Sequence, residues 1–544
     1  MRMEDNLYKA FLEEMNELDN FRAVYASLHP GISLEREDPD VRRLTEAMAF
    51  FSARTRLAGM QNISSVILRF FRQFFPFMLT HLPSMAIIQA TPTRKLAESI
   101  LFARGAELNV VTESGRTAIF RVMNDLNVLP ISQQRFSVLL LPEKGMRMVM
   151  AFGASYSRNE NIGTLSFFIN HLNNYDHSAL LFYHLKRCLK GVSVVFNEQA
   201  DEFSQGQVCE FSFSPSRMEG EDEHPLEKER IFFHFPWLDL YMHIQIPEPP
   251  SGWRNFSLCF DMDSGWPKNL TLNPDMFRLF TVPVINIRKD AAQPLLCNAT
   301  EEKYPIRHPR LHYDFLLHSV KGIYEITKEG LVFVKPGILS GAAPSYETEE
   351  STDSRGRIST NLLLHYPAAF NSTRTLTVDA LWYQPWFSEA MTEKMTLLPF
   401  SHVSAGIQWD FMVKPVPHRE DNFQKNTETF LRFLTLTHKE VLNIDDLMDI
   451  LQIMGVMHNP KYALVCNLIS GVRVEKAPSR EPNAASLLKY RYILRFKEFS
   501  ASQEPLVEIL VRHIQKILSY WLSSAVLEVR IEKVSSEQNS QMAG

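Results

Sequence analysis

The chain has 544 residues, 45% hydrophobic and 22% charged, with 38 Phe and 22 Met; this composition excludes a disordered protein, and the length calls for about three or four domains. A formal net charge of −5, without any Lys/Arg cluster, excludes a primary role on nucleic acid. Cys188, Cys209, Cys259, Cys297 and Cys466 are scattered without a CxxC pair, which favours a reducing compartment and argues against structural zinc.

The first residues, MRMEDNLYKAFLEEM, alternate apolar and acidic side chains, as an amphipathic helix does and a signal peptide does not. Leu7, Tyr8, Phe11, Leu12, Met15, Leu18, Phe21, Tyr25 and Leu28 recur at steps of three and four and predict one helix over 4–28. His29-Pro30-Gly31 stops it. Asp38 is placed to cap a second helix with Pro39 at its first position, where a missing N–H costs nothing. Val41, Leu44, Met48 and Phe51 line one face of that helix. A third, about 63–75, carries Ile63, Val66, Ile67, Phe70, Phe71 and Phe74 and stops at Pro76. Residues 1–80 therefore read as a helical arm or bundle with more apolar surface than it can cover alone. The stretch nearest to a membrane span, SSVILRFFRQFFPFML, contains Arg69, Arg72 and Gln73, so no direct membrane insertion is expected and the chain reads as soluble and cytoplasmic.

From Ser84 the period changes to two. SMAIIQATPT, AELNVVTE and TAIFRVMND predict strands, and RFSVLLLPEKGMRMVMAF predicts a hairpin around Pro142–Gly145. TLSFFINHL, a helix near 176–190 and VSVVFNE continue the alternation, so 81–300 reads as a β-rich α+β domain and 301–420 as a second β-rich domain. MEGEDEHPLEKE (218–229) and IPEPPSGW (246–253) read as solvated connections, and SYETEESTDSRGR (345–357) as a disordered acidic loop. Residues 421–534 combine helices over 423–455 with a small α/β unit of YRYILRF, EPLVEILVRHIQKILSYWL and AVLEVRIEK; 535–544 is a loose tail. The fold class expected is multi-domain α+β, with an N-terminal helical arm, an irregular β-rich middle and a C-terminal helical and α/β region.

A search for chemistry finds neither GxxxxGK[ST], GxGxxG after a strand, HExxH nor GxSxG. His224, His234 and His243 lie close in sequence, as do His308, His312 and His318, but Pro236 and Pro309 break the register that metal ligation would need. Asp261 and Asp263 share one side of a strand, whereas a glycosidase needs two carboxyls facing each other across a sugar; a turn entering at Ser264-Gly265 is the simpler account. Trp382, Tyr383, Trp386 and Phe387 in LWYQPWF suit core or interface packing better than a ligand site. No catalytic, cofactor or metal residue is assigned, and the chain is not expected to be an enzyme.

Four stretches in order carry a resemblance. HPGISLEREDPDVRRLTEAMAFFSAR (29–54), FFPFMLTHLPSMAIIQATP (74–92), FRLFTVPVINIRKDAAQPL (277–295) and, more loosely, FLRFLTLTHKEVLNIDDLMDIL (430–451) resemble the TssF family, also called VasA or ImpG. The chain departs from that family at TRLAGMQNISS after Arg54 and at LWYQPWFSEAM near 380. The resemblance implies a structural wedge subunit of the type VI secretion baseplate. It further implies partners: a TssG-like subunit, a second copy of the chain, TssE-like and TssK-like subunits, the VgrG spike and sheath proteins. Its place would be cytoplasmic, docked at the inner membrane through the secretion complex. A wedge protein of a phage-tail-like injection particle is the nearest alternative, and a glycan-binding or glycan-active protein is the alternative of another class.

On this reading Phe11, Met15, Phe21, Tyr25, Phe50, Phe51, Arg54, Phe70 and Phe74 are the expected interface residues, and His29, Pro30, Asp38, Pro39, Pro83, Pro283 and Asn286 the structural joints. A charge placed at Phe51 is expected to disrupt folding or assembly.

Overall fold

A computed structural model describes the chain except residues 1, 30–38, 142–144, 217–223, 299, 338–343, 353–357, 367–372, 400–405, 421–426, 438, 440, 479–487, 522–524 and 534–544. The chain forms two compact units, Met1–Leu79 with Asn422–Arg432, and Thr80–Asp421 with Phe433–Gly544.

The first unit is built on two helices, α1 (Arg2–Leu28) and α2 (Pro39–Phe74). The second and third helices expected from the sequence are one helix of 36 residues. No proline lies between Phe51 and Ile63, and the lone Gly59 costs about 1 kcal/mol against alanine, too little to interrupt the run. Pro39 occupies the first position with Asp40 beside it, and the helix ends two residues before Pro76.

The second unit holds several sheets. A six-stranded sheet runs Met395–Pro399, Glu107–Thr112, Thr117–Val122, Thr281–Ile285, Met85–Pro92 and Ile407–Val416. An eight-stranded sheet runs from Phe277–Arg278 at one edge to Ile131–Leu141 at the other, with Tyr175–Cys188 as its helix. The expected hairpin is there, Ile131–Leu141 against Gly145–Arg158. Gly145 is required at its turn, because its φ is +96° and a Cβ would sit 2.2 Å from the Met262 carbonyl oxygen.

The strand pairing crosses the boundary expected at 300. Strands from 395–416 complete the sheet that begins at Met85, and Arg288–Ala291 pairs with Arg374–Tyr383. Sheets recruit edges by register rather than by chain order, which residue periodicity does not report. Two segments read as loops are also ordered elements. Ser345–Thr352 is a strand paired in full with Ile358–His365, its period of two burying Tyr346 while Lys303 neutralises Glu349; 353–357 lie outside the described residues. Pro225–His234 is a helix, capped where His224 Nδ1 accepts from Leu226 N–H at 3.2 Å, and Leu226, Ile231, Phe232 and Phe233 are buried beneath its charges. The C-terminal unit matches its reading. Leu488–Phe496 and Ala525–Lys533 pair in parallel, and the connecting helix Glu504–Trp521 buries Val507, Leu510, Ile514, Ile517 and Leu518.

That helix is fastened by a buried ionic clamp. His513, 1% exposed, meets Glu229 at 2.5 Å through Nδ1 and Asp239 at 3.0 Å through Nε2, and its ring stacks on Phe232. Two acceptor carboxylates on two ring nitrogens call for the doubly protonated imidazole. Arg512 adds a 2.9 Å bond to Asp239. Burial alone would raise the Asp239 pKa, but His513 and Arg512 outweigh it and hold it below the ordinary carboxylate value.

Candidate assembly surface

The two N-terminal helices meet along small and polar residues. Ala49, Ala53 and Arg56 recur at steps of four and three; both alanines are 0% exposed, and Arg56 bonds Glu13 at 2.6 Å and Glu14 at 3.1 Å on α1. Ser52 donates to Glu14 at 2.7 Å, which fixes the register of the pair. An added side chain has nowhere to go at this seam. Ala49→Leu is expected to destabilise the helical unit by about 1–3 kcal/mol through overpacking, read as a lower denaturant midpoint.

Many of the large apolar side chains of the same helices stay outside. Phe21, Val24 and Leu28 on α1, and Leu44, Met48 and Phe51 on α2, follow helical steps, yet Phe21 is 66% and Phe51 63% exposed. Met60, Ile63, Val66 and Phe70 continue the exposed apolar character toward the end of α2. An exposed apolar stripe such as Leu44, Met48 and Phe51 is the kind of surface that a partner covers.

The expected interface residues fall into three groups. Phe21, Phe50, Phe51, Arg54 and Phe70 are exposed, and Phe50 packs edge-on against Phe51 at 5.8 Å between ring centroids. Phe11, Met15 and Tyr25 are half-buried, with Tyr25 against Phe21 and His29. The Phe74 side chain lies outside the described residues. Arg54 makes no ion pair among the described residues; Arg56, two residues on and marked by no sequence motif, ties the helices.

Of the joints, His29 N–H donates to the Tyr25 carbonyl at 3.0 Å where α1 ends, and Pro39 opens α2. Pro30 and Asp38 lie outside the described residues. Pro83 accepts from His234 Nε2 at 2.9 Å. Pro283 sits in Thr281–Ile285 with its carbonyl accepting from Met123 N–H at 2.9 Å, so its missing donor points to the side where that strand is only briefly paired. Asn286 is buried; its amide donates to the Ile119 carbonyl at 2.8 Å and its oxygen accepts from Gln384 N–H at 2.9 Å. Gln384 also accepts from Ile119 N–H at 2.8 Å, completing a buried polar node that no sequence motif marks.

The residues weighed for chemistry are held in structural contacts. Asp261 receives a bidentate bond from Arg147 at 2.7 and 3.0 Å, and Asp263 accepts from Gly265 N–H at 2.9 Å in the expected turn. Trp382 is buried and donates to the Asp290 carbonyl at 2.9 Å, and Arg116 lies 3.9 Å over the Trp386 ring. The histidines disperse. His224 caps a helix, His243 bonds Ser166 and the Ser214 carbonyl, and His318 donates through Nε2 to the His81 carbonyl at 2.9 Å. Among the described residues no three His, Cys, Asp or Glu side chains are grouped to hold a metal ion.

His234 and His318 carry a pH consequence. Desolvation pushes each imidazole down to about 3. The unfolded imidazole binds its proton near 6.5, so between those values the unfolded state holds more protons and stability falls on acidification. Going from pH 7 to pH 5 is expected to cost about 1–2 kcal/mol for each of the two. Denaturant titrations at both pH values check this, and an unchanged midpoint would contradict it.

A family model described as "Type VI secretion system, TssF" matches residues 3–194, which span both helices and the first strands of the second unit. Over that segment the chain is similar to the TssF family. None of the curated protein sequences matches it. Among solved structures, the fold of this chain is similar to a chain of "Structure of the type VI secretion system TssK-TssF-TssG baseplate subcomplex revealed by cryo-electron microscopy", at TM-score 0.71 and 17% identity over 92% of this chain and 97% of that one. It is also similar to a chain of "The baseplate complex from the type VI secretion system", at TM-score 0.59 and 17% identity over 96% of each. Among the described residues no helix is long and apolar enough to cross a membrane.

Proposed function

We propose that the chain is a structural wedge subunit of a type VI secretion baseplate, assembling with TssG-like and TssK-like subunits. The observation that carries this is the exposed apolar surface of α1 and α2, within the segment that matches the TssF family. A lone subunit that leaves Phe21, Leu44, Met48 and Phe51 in water gains their burial only on assembly, roughly 1.5–3 kcal/mol per side chain. Phe11, Met15, Phe21, Tyr25, Phe50, Phe51, Arg54, Phe70 and Phe74 form the proposed contact set.

The reading extends to a second copy of the chain, a TssE-like subunit, the VgrG spike and the sheath as further neighbours. It places the chain in the cytoplasm, docked at the inner membrane through the secretion complex, in a role that is scaffolding rather than catalysis. Co-expression with the TssG-like and TssK-like neighbours, followed by size exclusion and electron microscopy, tests it. Co-elution in one particle is expected. A monodisperse chain that ignores the TssG-like subunit would overturn it.

A further inference from the structure

The strands Leu316–Thr327 and Gly330–Pro336 form a hairpin turning at Lys328 and Glu329, in register from Thr327↔Gly330 to Ile323↔Val334. On its other side Gly330–Pro336 pairs with Ser345–Thr352 only at Lys335↔Ser345 and Pro336↔Tyr346. Among the described residues no strand lies beside 330–334 on that side. Gly337 N–H donates to the Tyr346 carbonyl at 2.9 Å, so odd-numbered residues of this extended run turn their backbone groups to that side and even-numbered ones to the hairpin partner. By the same alternation Leu331 and Phe333 aim N–H and C=O into an open edge.

The side chains there are apolar on both faces. Leu331, Val332 and Phe333 are 62%, 47% and 49% exposed, Ile326 stands opposite Leu331, and Tyr324 packs on Phe333 at 5.6 Å between ring centroids. Lys328 and Lys335, both exposed, bracket the edge. An apolar edge left uncovered invites unspecific pairing, and proteins otherwise blunt it with charge, proline or a bulge. Here the charges stand only at its ends.

We propose that this edge takes up an extended segment of a partner protein by strand addition. The segment is about five residues long, matching 330–334, and ends where Ser345 begins to occupy the same side. It is apolar at alternate positions and acidic at its ends, facing Lys328 and Lys335. The proposal is independent of the baseplate reading, and its test needs no baseplate subunit.

Single-residue amide hydrogen exchange on the full chain reads it directly, with the synthetic peptide Glu-Val-Thr-Val-Thr-Glu as probe. In the free chain the Leu331 and Phe333 amides are expected to exchange fast, while Val332 and Val334, bonded into the hairpin, exchange slowly. Millimolar peptide is expected to slow Leu331 and Phe333 by about tenfold or more and leave Val332 unchanged. The same peptide N-methylated at alternate amides, which cannot pair, is expected to give no protection. Phe333→Pro removes an outward N–H and a half-exposed ring but no hairpin hydrogen bond, so it is expected to lower the melting temperature no more than Phe333→Ala does, and to abolish the protection at Leu331 that Phe333→Ala retains. Amides already protected in the dilute free chain, no slowing with peptide, or equal slowing by the N-methylated peptide would each overturn the proposal. Protection that rises with protein concentration alone would assign the edge to a second copy and also overturn it.

Discussion

His513→Leu is expected to lower the free energy of unfolding by roughly 3–5 kcal/mol, the cost of breaking a buried ion pair from one side. Glu229 and Asp239 are both buried, at 5% and 6% exposure, and without the imidazolium they must be neutralised or hydrated inside the fold. Arg512 still reaches Asp239 at 2.9 Å, so Glu229 is the carboxylate left worse off, its remaining cation among the described residues being Lys516 at 4.0 Å. His513→Leu combined with Glu229→Gln is therefore expected to recover part of the loss, because the cost lies in the orphaned charge. Denaturant midpoints of wild type, single and double variants measure this. A single variant within 1 kcal/mol of wild type would remove the clamp from the account of how the C-terminal helix is held. The pH behaviour has a definite sign. Because the folded pKa of Asp239 lies below its ordinary value, its stabilisation is present above that ordinary value and is lost as pH falls through the folded one.

Phe51→Asp is expected to leave the melting temperature of the isolated chain within the range of a surface change, about 0.5 kcal/mol, and to abolish co-purification with the TssG-like subunit. The structure sharpens the expectation drawn from sequence, where folding and assembly were not separable. Phe51 is 63% exposed in the single chain, so the aspartate there is solvated and cheap. In an assembly that covers the Leu44–Met48–Phe51 stripe the same carboxylate must be desolvated without a partner, at about 4 kcal/mol or roughly a thousandfold in affinity. Size-exclusion co-elution and differential scanning calorimetry, run on the same preparation, separate the two effects. Ala49→Leu is the mirror case, destabilising the lone chain while leaving the exposed stripe intact. Loss of chain stability with Phe51→Asp, or normal assembly by it, would refute the assignment of this face.

Much of the local structure was legible in residues that act on their own neighbours. The 4–28 stripe, the proline entry at Pro39, the hairpin at Gly145 and the parallel unit around YRYILRF all follow from period, caps and turn chemistry. Errors arose where a local signal competes with a distant one. Polar, acidic SYETEEST reads as loop because its partner strand Ile358–His365 supplies the pairing. The acidic run before IFFH hides a helix because its apolar face is buried in tertiary contacts. Helices two and three are continuous because an apolar gap around Gly59 does not break a helix by itself.

The sequence by itself determined the kind of protein: α+β, with an N-terminal helical arm richer in apolar surface than it can bury, and a TssF-like order of motifs. These are properties of periodicity and of short segments, which act over a few residues. Only the tertiary structure decided which of those residues are seam and which are surface. Ala49 and Phe51 lie two apart in one helix and differ from fully buried to mostly exposed, because a helix turns 100° per residue and its partner covers one side alone. It also decided that His513 meets Glu229 and Asp239, 284 and 274 residues away in the chain. Separation of that length carries no local pattern; the pair exists only once the helix has packed.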